Sequence, residues 1–193
     1  MTSNPAPAKP EPSATLVLVR DSDAGLEVFL QQRHHNIPFL GGAHVFPGGK
    51  VEASDHDPRW RALSSLTEQH ANAVLGVDAG GLSYWVAAIR ECYEESGILM
   101  ARQYDGTAAS PTQLGGWPVA DFDFLEACET AGLQLCTEQL IYYAHWITPA
   151  HLPKRFDTRF FIARAPTGQT GAHDGYESID SLWISAQNAL QME

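Results

Sequence analysis

The sequence is poor in cysteine and in basic residues, and it contains no long apolar run. Its 3 cysteines are odd in number and form no CxxC pair, so neither a zinc site nor a disulfide framework is supported. The 12 Lys and Arg residues face 23 Asp and Glu residues, and this negative charge argues against broad binding of nucleic acid or anionic membranes. Because the cysteines support no disulfide framework, a reducing cytoplasm is the simplest location for the chain. No stretch of the sequence is long enough to cross a membrane.

A chain of 193 residues can bury the core of one domain, and its composition predicts where that domain starts. Residues 1–13 are rich in Pro, Ala and Ser and lack an apolar core segment, so they are predicted to be a disordered tail. Residues 14–193 are predicted to form the domain. A last helix is predicted from Ala186 and is cut off at Glu193, which indicates either an early end or a truncated helix.

Strands and helices follow one another along the predicted domain in an order that fits the α/β class. The predicted strands, which combine apolar, aromatic and β-branched residues, are 15–20, 26–33, 43–46, 98–103, 140–147, 158–163 and 178–184. The predicted helices are 83–96, 122–131 and the segment from 186 onward, in addition to a helical insertion described below.

Three glutamates share one face of the predicted helix over residues 83–96. Glu91, Glu94 and Glu95 stand at i, i+3 and i+4, and like charges at this spacing repel by roughly 0.2–0.5 kcal/mol per pair. Arg90 supplies the one positive charge of the segment. A hard divalent cation would neutralise the cluster, because Mg²⁺ is usually held by carboxylates together with substrate phosphates. The alternative is a solvated acidic face on a surface helix.

A glycine turn precedes this helix at Phe46-Pro47-Gly48-Gly49, where a predicted strand ends. Glycines permit backbone angles that other residues avoid, and they let a phosphate or a metal ion approach the main chain. Taken together, the turn and the glutamate helix resemble the Nudix box, G-x5-E-x7-R-E-U-x-E-E-x-G-U, in which U is a bulky apolar residue. The matching positions are Gly49, Arg90, Glu91, Glu94, Glu95, Gly97 and Ile98.

The resemblance has two departures, and both concern the segment between the turn and the helix. Asp55 stands where the pattern has its first Glu, and its side chain is shorter by one methylene. Residues 56–89 separate Asp55 from Arg90, where the pattern has only x7. The extra length begins with Asp57-Pro58, a good N-cap followed by Pro, and continues with apolar residues at near-helical spacing. We predict an inserted helical hairpin over residues 56–82.

This arrangement is similar to the Nudix subgroup with a long insertion inside the box, which includes the peroxisomal coenzyme A diphosphatases. The resemblance extends over roughly residues 14 to 190. It implies the family fold, an α/β/α sandwich with a mixed β-sheet and, here, a helical insertion. It also implies a hydrolase, in which metal-assisted attack of water cleaves a nucleoside diphosphate linked to another moiety.

The resemblance implies roles for the residues of the box. Glu94 and Glu95 are expected to be ligands of Mg²⁺ or Mn²⁺, and the carbonyl of Gly48 is expected to be a backbone ligand. Arg90 is expected to orient Glu91 by a charge-assisted hydrogen bond, which leaves Glu91 as the base or as a further metal ligand. The box therefore contains both the metal ligands and a candidate base.

Further site residues are expected outside the box. A fourth carboxylate is expected from the loop before the last strand, where Glu177 is the candidate, an ordinary loop acid is the alternative, and Glu138 is a weaker choice. Arg33 and Arg155 are expected to contact substrate phosphates. The alternatives are that Arg33 only ends a strand and that Arg155 is a structural partner of acidic neighbours.

The substrate expectation depends on the segment ahead of the box. Coenzyme A diphosphatases carry a block resembling L-L-T-x-R-[SA]-x3-R-x3-G-x3-F-P-G-G, and Arg33, Gly42 and Phe46 fall at matching spacings, while its second Arg is missing here. Coenzyme A or acyl-coenzyme A is the first expected substrate, and ADP-ribose, another nucleotide sugar or a dinucleotide is the second. A non-catalytic nucleotide-sensing module is the alternative of another class, which the complete set of box carboxylates disfavours. Nudix enzymes often dimerise, so a homodimer is a further expectation.

Overall fold

The computed structural model describes residues 7–23, 25–36, 41–115, 122–173, 175 and 178–192. Its strands are β1 (Glu11–Ser22), β2 (Gly25–Arg33), β3 (His44–Val45), β4 (Gly48–Lys50), β5 (Ala101–Gln103), β6 (Leu133–Leu135), β7 (Ile141–Ile147), β8 (Phe156–Arg164) and β9 (Ser178–Ser185). Its α-helices are α1 (Trp60–Leu63), α2 (Glu68–Leu75), α3 (Leu82–Ser96), α4 (Phe124–Thr130) and α5 (Ala186–Ala189). Within the described part of the chain, these helices lack the length and apolar character of a membrane span.

One mixed sheet of seven strands forms the centre of the molecule. β1 runs parallel to β8 on one side and pairs antiparallel with β2 and β4 on the other. β2 also pairs antiparallel with β3 and β9, and β7 pairs antiparallel with β8. β5 and β6 form a separate two-stranded sheet. The predicted α/β class with a mixed sheet is therefore confirmed.

The core lies between β1 and helix α3. Ala14, Leu16 and Leu18 of β1 are fully buried, whereas the residues between them are half-buried, as expected for a strand with one face against the core. α3 packs against β1, and the Tyr93 ring of α3 stacks on the Phe124 ring of α4 with the ring centroids 5.7 Å apart. The helix is capped at Gly97, whose φ of 68° is the left-handed conformation that favours glycine at a C-cap.

The inserted segment contains two helices, and both contribute to the main core. Trp60 and Leu63 of α1 are buried, and so are Ala71 and Leu75 of α2. α1 packs against α4 and β6, while α2 packs against α3. Since burial of a large apolar side chain contributes about 1.5–3 kcal/mol, the insertion stabilises the domain.

Several predicted boundaries differ from the structure, and two of the differences have a clear physical reason. The tail predicted over residues 1–13 ends too late, because β1 begins at Glu11, whose N–H donates to the Arg155 carbonyl at 2.9 Å. Composition cannot reveal this pairing, since the partner backbone lies far along the chain. The strand predicted over residues 98–103 is also too long, because β5 begins at Ala101 and residues 98–100 are buried connecting chain.

Candidate functional site

Arg90 on α3 is the centre of a buried polar cluster, and its guanidinium donates in three directions. Its Nε and Nη2 donate to the two carboxylate oxygens of Asp55, each at 2.9 Å. Its Nη2 also donates to the Lys50 carbonyl at 2.9 Å, at the end of β4. Its Nη1 donates to Glu91 Oε1 at 3.0 Å and to Glu94 Oε2 at 2.8 Å. One side chain thus joins the helix to β4 and to the segment that follows it.

Asp55 lies on a short 3₁₀ turn, Ala53–His56, and is almost completely buried. Its Oδ2 also accepts from the Glu52 N–H at 2.8 Å, which stabilises the start of the turn. The two-point contact with Arg90 is the planar fork geometry that guanidinium and carboxylate groups prefer. Asp55 therefore connects the turn to α3, although its side chain is one methylene shorter than the Glu of the Nudix pattern.

Glu95 connects the same helix to the glycine turn. Its side chain is buried, and its Oε2 accepts from the Gly48 N–H at 2.9 Å. Gly48 and Gly49 lie in β4, and neither adopts a positive φ. The backbone angles that only glycine permits are therefore not used at these two positions, which have strand conformations.

Close packing explains why glycine occupies these two positions. A Cβ at Gly49 would lie 2.4 Å from the carboxyl carbon of Glu91, and a Cβ at Gly48 would lie 2.5 Å from the Ala14 carbonyl oxygen. Such distances are not tolerated, so a side chain at position 49 would displace Glu91. The absence of a side chain brings the main chain of β4 against the carboxylates of α3.

The cluster holds more negative than positive charge. The carboxylates of Asp55, Glu91 and Glu94 contact a single guanidinium, that of Arg90. Burial raises the pKa of Glu91 to about 7; Arg90 opposes this shift and the neighbouring Glu94 adds to it. Burial also raises the pKa of Glu94, again against the effect of Arg90. Ionised Glu91 is therefore costly in this site unless a further positive charge is present.

We expect Glu91 to make the metal-free protein less stable as the pH rises. Its folded pKa of about 7 exceeds the ordinary value of 4.5, so its contribution to stability is fully present below pH 4.5 and lost as the pH rises through 7. In Glu91→Gln, the free energy of unfolding should fall less across this interval, by about 2–3 kcal/mol. Urea unfolding of both proteins in EDTA measures the difference, and parallel pH profiles would contradict it.

The donor atoms of the cluster suit a hard divalent cation. Glu91, Glu94 and Glu95 offer carboxylate oxygens beside the main chain of Gly48, and Mg²⁺ prefers oxygen ligands. Among the described residues, no three His, Cys, Asp or Glu side chains converge as a formed metal cage would. Instead, Glu91 and Glu94 bond to Arg90, and Glu95 bonds to Gly48. The excess of buried carboxylates is the feature that fits a cation.

The other predicted site residues lie outside this cluster. Arg33 is the last residue of β2, and its N–H donates to the Ala43 carbonyl at 3.0 Å. Arg155 donates from Nε to the Thr148 carbonyl at 2.9 Å and from Nη1 to the Ala8 carbonyl at 2.7 Å. These bonds join the β7–β8 connection to the segment ahead of β1. Glu177 lies outside the described residues.

Gln31 on β2 is a site residue that the sequence did not predict. Its side chain is fully buried, and its Nε2 donates to the main-chain carbonyl of Glu95 at 2.7 Å. This bond ties the end of α3, where helical carbonyls lack partners, to the sheet. Its Oε1 has no hydrogen-bond partner within the described ranges. A polar amide directly after the apolar pair Phe29-Leu30 was the sequence feature that could have revealed it.

Known proteins resemble this chain in sequence. No family model matches the chain. It is 27% identical over 212 residues to acyl-coenzyme A diphosphatase NUDT19 of Gallus gallus, a match that covers 86% of this chain and 55% of the relative. It is 26% identical over 216 residues to the protein of the same name from Xenopus laevis, with 89% and 56% covered. The chain thus spans about half the length of these curated relatives.

The fold has a counterpart among solved structures. A NUDIX hydrolase from Alicyclobacillus acidocaldarius matches with a TM-score of 0.75 at 26% identity, over 95% of this chain and 82% of that one. The sequence similarity and the fold similarity agree with the motif assignment made from the turn and the glutamate helix. This chain has the Nudix fold and is similar in sequence to Nudix hydrolases, among them proteins named acyl-coenzyme A diphosphatase.

Proposed function

We propose that this chain hydrolyses a nucleoside diphosphate linked to another moiety, and that the substrate is coenzyme A or acyl-coenzyme A. The observation that carries the proposal is the buried cluster in which Arg90 holds Asp55, Glu91 and Glu94 beside the glycine turn. The relatives named acyl-coenzyme A diphosphatase support the choice of substrate.

Nudix hydrolases generally need a divalent metal ion, and the donor set described above supports one here. Glu91, Glu94 and Glu95, with the Gly48 carbonyl, would hold Mg²⁺ or Mn²⁺, which neutralises phosphate oxygens and lowers the pKa of a bound water. Within the chain itself, Arg90 orients Glu91 and Glu94 by charge-assisted hydrogen bonds.

Glu91 would be the base where Glu94 and Glu95 hold the metal, and otherwise a further metal ligand. In the metal-free protein, burial raises its pKa to about 7, so its carboxylate is more basic than that of an exposed glutamate. Glu177 stays a predicted fourth carboxylate, and Glu138 is a weaker candidate because it is bonded to Arg102 at 2.6 Å.

The first experiment is a hydrolysis panel with products identified by mass. It includes coenzyme A, acyl-coenzyme A, ADP-ribose, NADH and dinucleoside polyphosphates, each with Mg²⁺, with Mn²⁺ and with EDTA. Release of 3',5'-ADP and 4'-phosphopantetheine, or its acyl form, is the expected result. Better turnover of ADP-ribose would replace the coenzyme A proposal and keep the diphosphatase, whereas binding without any turnover would indicate a nucleotide-sensing module.

We expect Arg33 to contribute to recognition of the adenosine 3'-phosphate of coenzyme A. Arg33 lies on the same strand as Gln31, two residues further along, and Gln31 bonds to the end of α3. The wild-type protein should then hydrolyse dephospho-coenzyme A with a lower kcat/KM than coenzyme A. Arg33→Ala should reduce the ratio of these two kcat/KM values about tenfold, since a charge-assisted bond contributes roughly 1.5–3 kcal/mol.

Arg155→Ala is the matched variant for this measurement. Its guanidinium bonds to main-chain carbonyls, so this substitution should lower thermal stability and leave the ratio of the two kcat/KM values unchanged. If the ratio of kcat/KM for coenzyme A to that for dephospho-coenzyme A falls in Arg155→Ala and not in Arg33→Ala, Arg155 is the residue that contacts the 3'-phosphate. The homodimer and the cytoplasmic location also stay predictions, and light scattering of the purified protein tests the first.

A further inference from the structure

Trp60 of the insertion contacts the Asp55 turn directly. It is the first residue of α1, it is 2% exposed, and its indole N–H donates to the Ser54 carbonyl at 3.0 Å. A buried indole has one polar group, and that group needs a partner. Here the partner belongs to the 3₁₀ turn Ala53–His56, outside the helix in which Trp60 lies.

The turn in contact with Trp60 determines the position of Arg90. Ser54 precedes Asp55, whose carboxylate accepts two hydrogen bonds from Arg90. The turn has four residues and few bonds of its own, which include the Asp55 N–H to the Glu52 carbonyl at 3.2 Å. A displacement of the Ser54 peptide therefore moves Asp55 and disturbs the two hydrogen bonds that Arg90 Nε and Nη2 donate to its carboxylate.

Open space lies between the turn and the insertion on one side. A cavity of about 30 Å³ lies between the turn, the insertion and the start of α3, and its lining includes Asp55, Trp60, Glu68 and Ser83. Water-sized space at this place means that the turn is not held by close packing on that side. The indole N–H of Trp60 and the backbone N–H of Asp57, which donates to the same Ser54 carbonyl at 3.2 Å, are therefore the two hydrogen bonds by which the insertion restrains this carbonyl.

The Trp60 ring makes a second, apolar connection to α3. Its ring lies 5.6 Å from the Phe124 ring, and Phe124 stacks on Tyr93 of α3 at 5.7 Å. Trp60 thus contacts the helix by a polar route, through Asp55 and Arg90, and by an apolar route, through Phe124. Only the polar route leads to the carboxylates Glu91 and Glu94.

We propose that Trp60 is a positioning residue, whose indole N–H holds the Asp55 turn so that Arg90 orients Glu91 and Glu94. The effect on catalysis rests on the proposed diphosphatase function, whereas the effect on Arg90 does not. The insertion then contributes to the geometry of the box that it interrupts, because the Trp60 side chain helps to position Arg90.

Trp60→Phe and Trp85→Phe are a matched pair of variants. Phe keeps an aromatic ring at each position and removes the indole donor. Trp85 is also 2% exposed, its indole N–H donates to the Leu140 carbonyl at 3.3 Å, and its ring lies 4.7 Å from Phe161. Both variants lose one buried hydrogen bond, but only Trp60 bonds to the Asp55 turn. Thermal unfolding should show similar losses of stability.

The decisive measurement is the Arg90 Nε–H signal in ¹⁵N NMR spectra of the metal-free protein, assigned through its loss in Arg90→Lys. Trp60→Phe should shift this signal and speed its hydrogen exchange about tenfold, whereas Trp85→Phe should leave both unchanged. In turnover assays, Trp60→Phe should lower kcat about tenfold with KM within about twofold, and this effect should disappear in an Asp55→Asn background.

Phe124→Leu tests the apolar route separately, because it removes the ring contact and leaves the indole N–H in place. It should lower thermal stability without changing Arg90 Nε–H exchange. An unchanged Arg90 signal in Trp60→Phe, or equal changes in Trp85→Phe or Phe124→Leu, would overturn the positioning role. If no substrate of the panel is hydrolysed, the proposed function fails, and the NMR comparison still decides the role of Trp60.

Discussion

Glu95→Gln should lower turnover by about three orders of magnitude and leave the fold intact. The variant loses an anionic ligand of the metal, and the metal would stabilise the charge that develops in the transition state by several kcal/mol. The amide oxygen of Gln can still accept from the Gly48 N–H, a bond that Glu95 makes at 2.9 Å. The substitution also relieves repulsion on the helix face by roughly 0.2–0.5 kcal/mol per pair. Initial rates over a Mg²⁺ titration, together with circular dichroism, measure both effects.

Glu126→Gln is the control for this prediction. Glu126 lies on α4, its side chain is 68% exposed and it pairs with Arg59 at the surface, so its replacement should leave kcat unchanged. EDTA should abolish turnover of the wild-type protein and of the control alike. Full activity in Glu95→Gln would reject the assignment of the box carboxylates as the active site.

Asp55→Asn should lower the free energy of unfolding by about 3 kcal/mol, since it leaves a buried guanidinium without its main partner. The Asp55 side chain is 1% exposed and makes both hydrogen bonds of the fork with Arg90. Asn keeps the shape but can accept with one oxygen only, and it carries no charge. Glu91 and Glu94 still contact Arg90, which sets the loss near the lower end for a broken buried pair.

Asp57→Asn is the matched control, two residues along the same segment. Asp57 pairs with Arg59 at the surface, and its pKa is lowered mainly by the hydrogen bond from that side chain. Exposed pairs contribute little, so urea unfolding should separate the two variants clearly. Asp55→Asn should also reduce turnover, because Arg90 would no longer be held in place. Equal stability of the two variants would show that the Arg90–Asp55 pair is not a structural connection.

Most of the elements were predictable because their patterns are local. Runs of apolar and β-branched residues predicted β1 and β2, and the helical spacing of the glutamates predicted α3. The exceptions are short or depend on distant partners. β4 and β6 contain three residues each, too few to show a period. The first residues of β1 are polar, and their pairing with β8 appears only in the folded chain.

The sequence by itself determined which residues could do chemistry here, because helical geometry places Glu91, Glu94 and Glu95 on one face whatever surrounds them. Tertiary structure alone decided what those residues contact. Asp55 meets Arg90 across 35 residues, and Gln31 meets the Glu95 carbonyl across 64. Such contacts depend on how the sheet and the insertion pack against α3, and local periodicity does not encode packing. Burial, which raises the pKa of Glu91 to about 7, is likewise a property of the folded chain.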